Sequence, residues 1–254
     1  MGAPAPCPCA CAERLGFAGE EPDTCAVIVA GGTGERFGDP RGKQFVELCG
    51  LPLMCWSLAA FDRAPSVARI VVVCAQDRVA EVEKDVLSRI ALSKPVSLAP
   101  SGATRQASVL SGLSAAPRDL ALVAIHDAAR PLVEPEQIER VLAAVRVDEQ
   151  VAGAILAART VDTLKLVEGN TIIATPDRSF YWSAQTPQAF RRRVLLAAHK
   201  AAARDEYEGT DDASLVERMG GRVVVVEGTR DNIKVTLPED LAIAEAALER
   251  RLLS

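Results

Sequence analysis

The chain is 254 residues long, with 49% hydrophobic and 25% charged residues and a formal net charge of −5. That length buries a substantial core in one large or two small domains, and the composition is that of a globular chain rather than a disordered one. The acidic balance argues against generic nucleic-acid binding, which needs a basic face, and no apolar run reaches membrane-spanning length, so neither nucleic acid nor membrane is an expected partner.

Residues 1–23 are rich in Pro, Ala and Cys, with Cys7, Cys9 and Cys11 alternating. This spacing, with no histidine nearby, is not a common zinc pattern, and the odd total of seven cysteines argues against a disulfide framework. The stretch lacks the basic start and apolar centre of a signal peptide. It is expected to be a disordered tail on a single domain covering 24–254. The expected location is the cytoplasm, or the plastid stroma for a eukaryotic source, although no clear transit peptide is present.

The chain then organises itself around Val27 to Lys43, VIVAGGTGERFGDPRGK. Cys25 to Ala30 reads as a buried parallel strand. It breaks into a turn with Gly31, Gly32 and Gly34, followed by Arg36 and Lys43. Glycines at a strand end let backbone N–H groups face a phosphate, and a guanidinium and an ammonium in the same loop balance its charge. The dinucleotide fingerprint would need glycine where Phe37 stands, and the P-loop would need one more residue between Gly38 and Gly42-Lys43, then Ser or Thr where Gln44 stands. What remains is a polyphosphate site of another kind, or a glycine turn with incidental surface cations.

Pro52 is expected to open a helix to about Arg63, and Arg69 to Cys74 is a second buried strand. Asp77 should cap a helix with Val79, Val82, Val86, Leu87 and Ile90 on one face. Val96 to Leu98 is a short strand, followed by a Ser101-Gly102 turn and a helix from about Arg105 to Ala115. Leu120 to Ile125 is a strand ending at His126-Asp127-Ala128-Ala129-Arg130, and Pro135 opens the next helix. Strands alternating with helices predict an α/β fold with a doubly wound, mostly parallel sheet, with ligands beyond the carboxyl ends of the strands. The loops at Gly31, Ser101 and Asp127 should therefore converge.

After Val151 the texture changes. Ala154 to Ala158, Thr163 to Val167 and Thr171 to Ala174 read as short strands of a protruding β-arm at about 157–180. The α/β pattern resumes with a helix from about Arg191 to Arg204. Thr210 is the expected N-cap of a further helix, with Asp211 and Asp212 as charges of its first turn. A strand from Arg222 to Val226 and a closing helix opened by Pro238 complete the chain.

Asp127, at the end of an apolar strand, is a candidate Mg²⁺ ligand or a loop-stabilising carboxylate, and Asp231 is the second metal candidate. His126 and His199 read as satisfied core residues. Arg36, Lys43, Arg130, Lys165, Arg178 and Lys234 stand beside turns or strand ends. Taken singly these are solvated charges; gathered at one crevice they would suit two mutually repelling phosphate substrates. Joining such substrates needs positioning and cations more than covalent help.

These residues fall in motifs that resemble the 2-C-methyl-D-erythritol 4-phosphate cytidylyltransferase family over about 24–252: AGGTGERFG with KQF, SGATRQASV, HDAARP, VDTLK, PDRSFYWSAQTPQAF, TDDAS and EGTRDNIKVTLPEDL. The resemblance implies a Rossmann-like nucleotidyltransferase fold. It also implies transfer of CMP from CTP to the phosphate of 2-C-methyl-D-erythritol 4-phosphate, giving 4-diphosphocytidyl-2-C-methyl-D-erythritol and pyrophosphate in non-mevalonate isoprenoid precursor synthesis, with Mg²⁺ or another divalent cation as cofactor. On that resemblance Arg36, Lys43 and Lys234 would be catalytic. Ala30, Gly31, Gly32, Thr33, Gly34, Ser101, Gly102, Arg105 and Ser108 would bind the nucleotide. Asp127, Ala128, Arg130, Thr163 and Arg178 would bind the second substrate, Thr163 and Arg178 from the arm of the partner subunit of a homodimer. Gly42 stands where the family usually has proline, and no fused cyclase domain is expected. The alternatives are a cytidylyltransferase for another polyol phosphate, such as ribitol 5-phosphate, and a non-catalytic nucleotide-binding module. Joint retention of Arg36, Lys43 and Lys234 speaks against the module, because a sensor needs affinity but not transition-state charge.

Overall fold

The computed structural model describes residues 21–32, 37–39 and 41–253. Thr33, Gly34, Arg36 and nearly all of the 1–23 tail therefore lie outside the described residues. Asp23 is held: its carboxylate takes Arg146 Nη2 at 2.5 Å and its backbone carbonyl takes the Leu122 N–H at 3.2 Å.

Alternating small and branched apolar residues make Thr24–Val29 a strand buried on both faces, β1, with Ala26 and Ile28 on one side and Cys25 and Val27 on the other. A small two-stranded pair follows, β2 (Glu47–Leu48) and β3 (Leu51–Pro52), then helix α1 (Leu53–Arg63) with Pro52 at its N-cap. Next come β4 (Val67–Cys74), β5 (Val96–Pro100), α2 (Arg105–Ala115), β6 (Leu122–Asp127) and α3 (Pro135–Arg146). Strand β7 (Val151–Arg159) leads into the ribbon β8 (Leu166–Glu168) and β9 (Thr171–Ala174), and the chain returns through β10 (Trp182–Arg191). Helices α4 (Arg192–Arg204) and α5 (Asp212–Arg218), strand β11 (Arg222–Glu227) and helix α6 (Pro238–Leu253) finish the fold.

The central sheet has seven strands in the order β11-β7-β10-β6-β1-β4-β5, all parallel except β10, which runs against both neighbours. This is the expected doubly wound, mostly parallel sheet. Leu58 and Phe61 of α1 and Ile138 and Leu142 of α3 cover one face; Val109 and Leu113 of α2 and Leu195 of α4 cover the other. From β1 the chain steps outward through β4 and β5, then crosses back to the opposite side of β1 as β6. The winding reverses between β1 and β6, which opens a crevice beyond their carboxyl ends. Among the described residues no helix is long and apolar enough to cross a membrane.

Several expectations are corrected. Ala154 to Ala158 belongs to β7 inside the central sheet, so the excursion is shorter and comprises residues 160–181. Strand β10 was not among the expected strands; its Pro187 and polar neighbours are unusual inside a sheet. The proline, which has no N–H to donate, coincides with a register break between Ala184 and Gln188. Residues 76–89 form a broken succession of 3₁₀, α and π turns rather than one helix, although Val82 and Val86 are buried as the periodicity implied. The N-cap of α5 is Asp211, whose Oδ1 accepts the Ser214 N–H at 2.9 Å, and not Thr210.

Candidate active site

Strand ends position the first wall of the site. The Ala30 N–H donates to Val73 O at 2.8 Å, the Ser101 N–H to Cys74 O at 2.7 Å and the Ala128 N–H to Val29 O at 3.1 Å. These bonds extend the parallel ladder into the loops, so three loops leave the sheet at one level. Gly31 and Ser101 touch there: a Cβ on Gly31 would lie 2.3 Å from Ser101 Cβ, so a larger residue would push the two loops apart. Helix α2 starts beside them, capped by Thr104, whose Oγ1 accepts the Ala107 N–H at 3.1 Å. Ser108 Oγ donates to Thr104 O at 2.9 Å and accepts the Gly102 N–H at 3.1 Å, which closes the turn over the helix N-terminus.

These walls enclose a cavity of about 580 Å³, the size of an ordinary small-molecule site. Among the expected nucleotide binders, Ala30, Gly31, Gly32, Gly102, Arg105 and Ser108 line it, and so do Lys43, Lys234, Asp127 and Ala128. Ser101 stands directly behind Gly31. Gln44, Thr104 and Thr236 also line the cavity and were not singled out from sequence. Their signal was their place in the motifs KQF, SGATRQASV and EGTRDNIKVTLPEDL, close to Lys43, Arg105 and Lys234.

The floor is a cluster of charges. Asp127, with its side chain 10% exposed, accepts Lys234 Nζ on Oδ2 at 2.7 Å and Arg105 Nε on Oδ1 at 3.2 Å. Burial opposes its ionisation, but Arg105, Lys234 and Arg130 outweigh burial and hold the carboxyl well below the usual carboxylate range. Burial would likewise lower Arg105, but Asp212 and Asp127 raise it above its ordinary value. Lys43 reaches the same place from across the sheet: its Nζ donates to Val235 O at 2.8 Å, next to Lys234. The cavity therefore gathers Lys43, Lys234 and Arg105, the last two of them on the Asp127 carboxylate.

The segment carrying Lys234 is tied down by buried polar groups. Asn232, fully buried, donates from Nδ2 to Thr186 O at 2.9 Å and to Gln185 Oε1 at 3.2 Å, and its own carbonyl accepts Arg130 Nη1 at 2.7 Å. Thr186 Oγ1 accepts the Asp127 N–H at 3.1 Å and meets His126 Nδ1 at 3.0 Å. Arg130 O accepts from His126 Nε2 at 3.1 Å. A carbonyl can only accept, so Nε2 carries the proton and Nδ1 receives the Thr186 hydroxyl. His126 is thus the satisfied core residue the sequence suggested, and burial pushes its pKa down to about 4 although Asp127 pulls upward.

Other expected residues stand elsewhere. Arg130 lies beside the cavity with its Nε buried and unpartnered. Asp231 is exposed and does not line the cavity, and Thr163 and Arg178 are exposed on the arm. Arg178 donates to Val161 O. Asp212 is not a solvated helix-start charge: it is buried and binds Arg105 and His199. His199 is satisfied on one nitrogen alone, its buried Nδ1 having no partner. Among the described residues no group of three or more His, Cys, Asp or Glu side chains is placed to hold a metal ion.

The chain matches the family model of 2-C-methyl-D-erythritol 4-phosphate cytidylyltransferase over residues 24–250. It is 42% identical over 226 residues to the enzyme of that name from Syntrophotalea carbinolica, covering 88% of this chain and 95% of the relative. The Geobacillus kaustophilus enzyme of the same name is 43% identical over 228 residues, with 89% and 97% covered. Among solved structures, 4-diphosphocytidyl-2C-methyl-D-erythritol synthase from Anaerococcus prevotii superposes with a TM-score of 0.78 at 28% identity, covering 89% of this chain and 96% of that one. The 2-C-methyl-D-erythritol 4-phosphate cytidylyltransferase of Thermus thermophilus superposes with a TM-score of 0.71 at 32% identity, covering 88% and 98%.

Proposed function

Because the chain belongs to the 2-C-methyl-D-erythritol 4-phosphate cytidylyltransferase family, we propose that it transfers CMP from CTP to 2-C-methyl-D-erythritol 4-phosphate. The products are 4-diphosphocytidyl-2-C-methyl-D-erythritol and pyrophosphate, a step of non-mevalonate isoprenoid precursor synthesis. The observation that carries this reading is one cavity at the winding reversal lined by Lys43, Lys234 and Arg105, the last two of them holding Asp127.

A phosphate oxygen of the sugar phosphate attacks the α-phosphorus of CTP, the new O–P bond forms, and the α–β bridge breaks to release pyrophosphate. Both reactants are anionic, so the first requirement is to overcome their repulsion. Lys43, from the glycine-loop side, and Lys234, from the β10 side, hold the α-phosphate between them and stabilise the charge that builds on its oxygens. Arg36 belongs to the same reading as a third cation, although it lies outside the described residues. The loops at Ala30 to Gly32, Ser101-Gly102 and Ser108 seat the nucleotide. Arg130, held by the Asn232 carbonyl, and Arg178 of a partner subunit receive the sugar phosphate.

The donor set suits Mg²⁺ in its usual mode of one or two carboxylates completed by phosphate oxygens and water. Asp127 is a buried carboxylate at the cavity floor, and of its present partners Lys234 is a cation that phosphates would draw away. Asp231 is the more distant candidate. When bound, the ion supplies charge neutralisation across the phosphates. The exposed apolar side chains of the arm, Leu166, Val167, Ile172, Ile173 and Phe180, support a homodimer in which each arm completes its partner's site. A cytoplasmic setting, where CTP is available, belongs to the same reading.

The test is pyrophosphate release from CTP and Mg²⁺ with 2-C-methyl-D-erythritol 4-phosphate and, separately, ribitol 5-phosphate. Release with the first alone is expected. Release with the second alone would move the substrate to another polyol phosphate, and silence with both would overturn the reading.

A further inference from the structure

Two buried residues behind the cavity wall converge on Arg105. Asp212 is 1% exposed, and its carboxylate takes Arg105 Nη1 at 2.7 Å on Oδ2 and His199 Nε2 at 3.1 Å on Oδ1. Arg105 passes the arrangement on, donating Nε to Asp127 Oδ1 at 3.2 Å, and Asp127 holds Lys234 on its other oxygen at 2.7 Å. The series His199, Asp212, Arg105, Asp127, Lys234 thus links α4, α5, α2, β6 and the Lys234 segment. The comparisons and the cavity lining give Asp212 and His199 no role, yet a buried carboxylate is strongly disfavoured unless paired.

The pairing has a consequence at the cavity. A guanidinium is a rigid fork, and here two carboxylates occupy different edges of it, Asp212 from behind the wall and Asp127 from the floor. When phosphates enter, Lys234 has a competing anion and Asp127 loses one of its two holds. Arg105 would have the same competing anion, and it is kept back by the carboxylate that no phosphate can reach. We propose that Asp212, itself set by His199, is a positioning residue that anchors Arg105 so that Arg105 keeps Asp127 aimed into the cavity during turnover. This rests on the reading of the cavity as the CTP site. Arg105 then acts as an internal strut, and the nucleotide meets it as a fixed surface.

The same contacts in a purely structural role would tie α5 to α4 and nothing more. The two roles separate in a double-mutant cycle on pyrophosphate release, using wild type, Asp212→Asn, Arg105→Met and the double variant, with melting temperatures alongside. The expected result is a loss of kcat on the order of 30-fold in Asp212→Asn with little change in KM for CTP, since misplacement of a reacting group by about 1 Å has effects of that size. In the Arg105→Met background the second substitution should have no further effect. An Asp212→Asn enzyme with unchanged kcat, or losses that multiply in the double variant, would overturn the proposal. So would a silent Arg105→Met in an active wild type, which leaves the functional reading intact; an inactive wild type sinks that reading instead. Should Asp212→Asn not fold, His199→Leu should lower kcat roughly fivefold and His199→Gln, whose amide N–H replaces Nε2–H, should restore most of it. Equal rates in both would also overturn the proposal.

Discussion

The cavity floor and the arm both use cations and short apolar runs, and they settle them in opposite ways. At the floor, Asp127, Arg105 and Asp212 satisfy one another within the chain, and the strands beneath them are buried on both faces. On the arm, β8 and β9 form a two-stranded ribbon of their own, and Leu166, Val167, Ile172 and Ile173 are all exposed, as is Phe180 at 82%. An isolated ribbon is marginal in water, and so many exposed large apolar side chains on a short ribbon point to an interaction site. One region is satisfied within the chain, and the other leaves its apolar side chains exposed. This contrast is why the chemistry is assigned to residues of one chain and the arm to a second copy.

The largest effect that tests the contrast is at the floor. Lys43→Ala and Lys234→Ala should each lower kcat on the order of 10²- to 10³-fold while changing KM for CTP far less, as removal of transition-state charge does. Steady-state kinetics decide it, and unchanged turnover in either variant removes that lysine from the catalytic set. On the arm, Arg178→Ala should chiefly raise KM for the sugar phosphate, by roughly ten- to a hundredfold if one charge-assisted contact is lost. Reassorting Arg178→Ala with Lys43→Ala subunits should return about a quarter of wild-type activity, because half of random dimers are mixed and each holds one intact site. No recovery would mean that each site is built from one chain.

The smallest effect concerns acid. His126 has its folded-state pKa lowered from 6.5 to about 4 by burial, so the unfolded chain binds the proton first as pH falls. Its contribution is complete above pH 6.5 and is lost between 6.5 and about 4, a matter of a few kcal/mol. Asp127 and Asp212, both lowered, begin to lose theirs only below the ordinary carboxylate range of about 3.8. Melting temperature should therefore fall by several degrees from pH 6.5 to 4.5, and His126→Gln should flatten that slope. An unaltered slope in the variant would assign the loss to another group.

How far the sequence showed this arrangement depended on whether a residue's partners were near it in the chain. The buried strand Thr24–Val29 and the helix opened by Pro135 follow from local pattern, and both are present. Lys43 and Lys234 stood out as cations beside turns. Strand β10 did not, because Gln185, Thr186 and Gln188 are polar and Pro187 argues against a strand. They are buried because each finds a distant partner: Thr186 meets Asp127 and His126, Gln185 meets Asn232, and Gln188 meets Asp211. Asp212 was misread for the same reason. As a neighbour of Asp211 it looks like helix-start charge, and its pairing with Arg105, 107 positions away, leaves no local trace.

The antiparallel course of β10 bears on how the chain could be divided. The arm tip, at the exposed Gly169-Asn170 turn, is the point between β7 and the returning strand. A single cut there would leave β1, β4, β5, β6 and β7 on one fragment and β10 and β11 on the other. The first fragment alone would have a slot between β6 and β7, and the strand that fills it belongs to the second. The two pieces would be interleaved, like a tongue in a groove, and should remain together through gel filtration after limited proteolysis at the tip. This exposed turn is thus the place where the chain divides into two halves that can rebuild the seven-stranded sheet only by meeting.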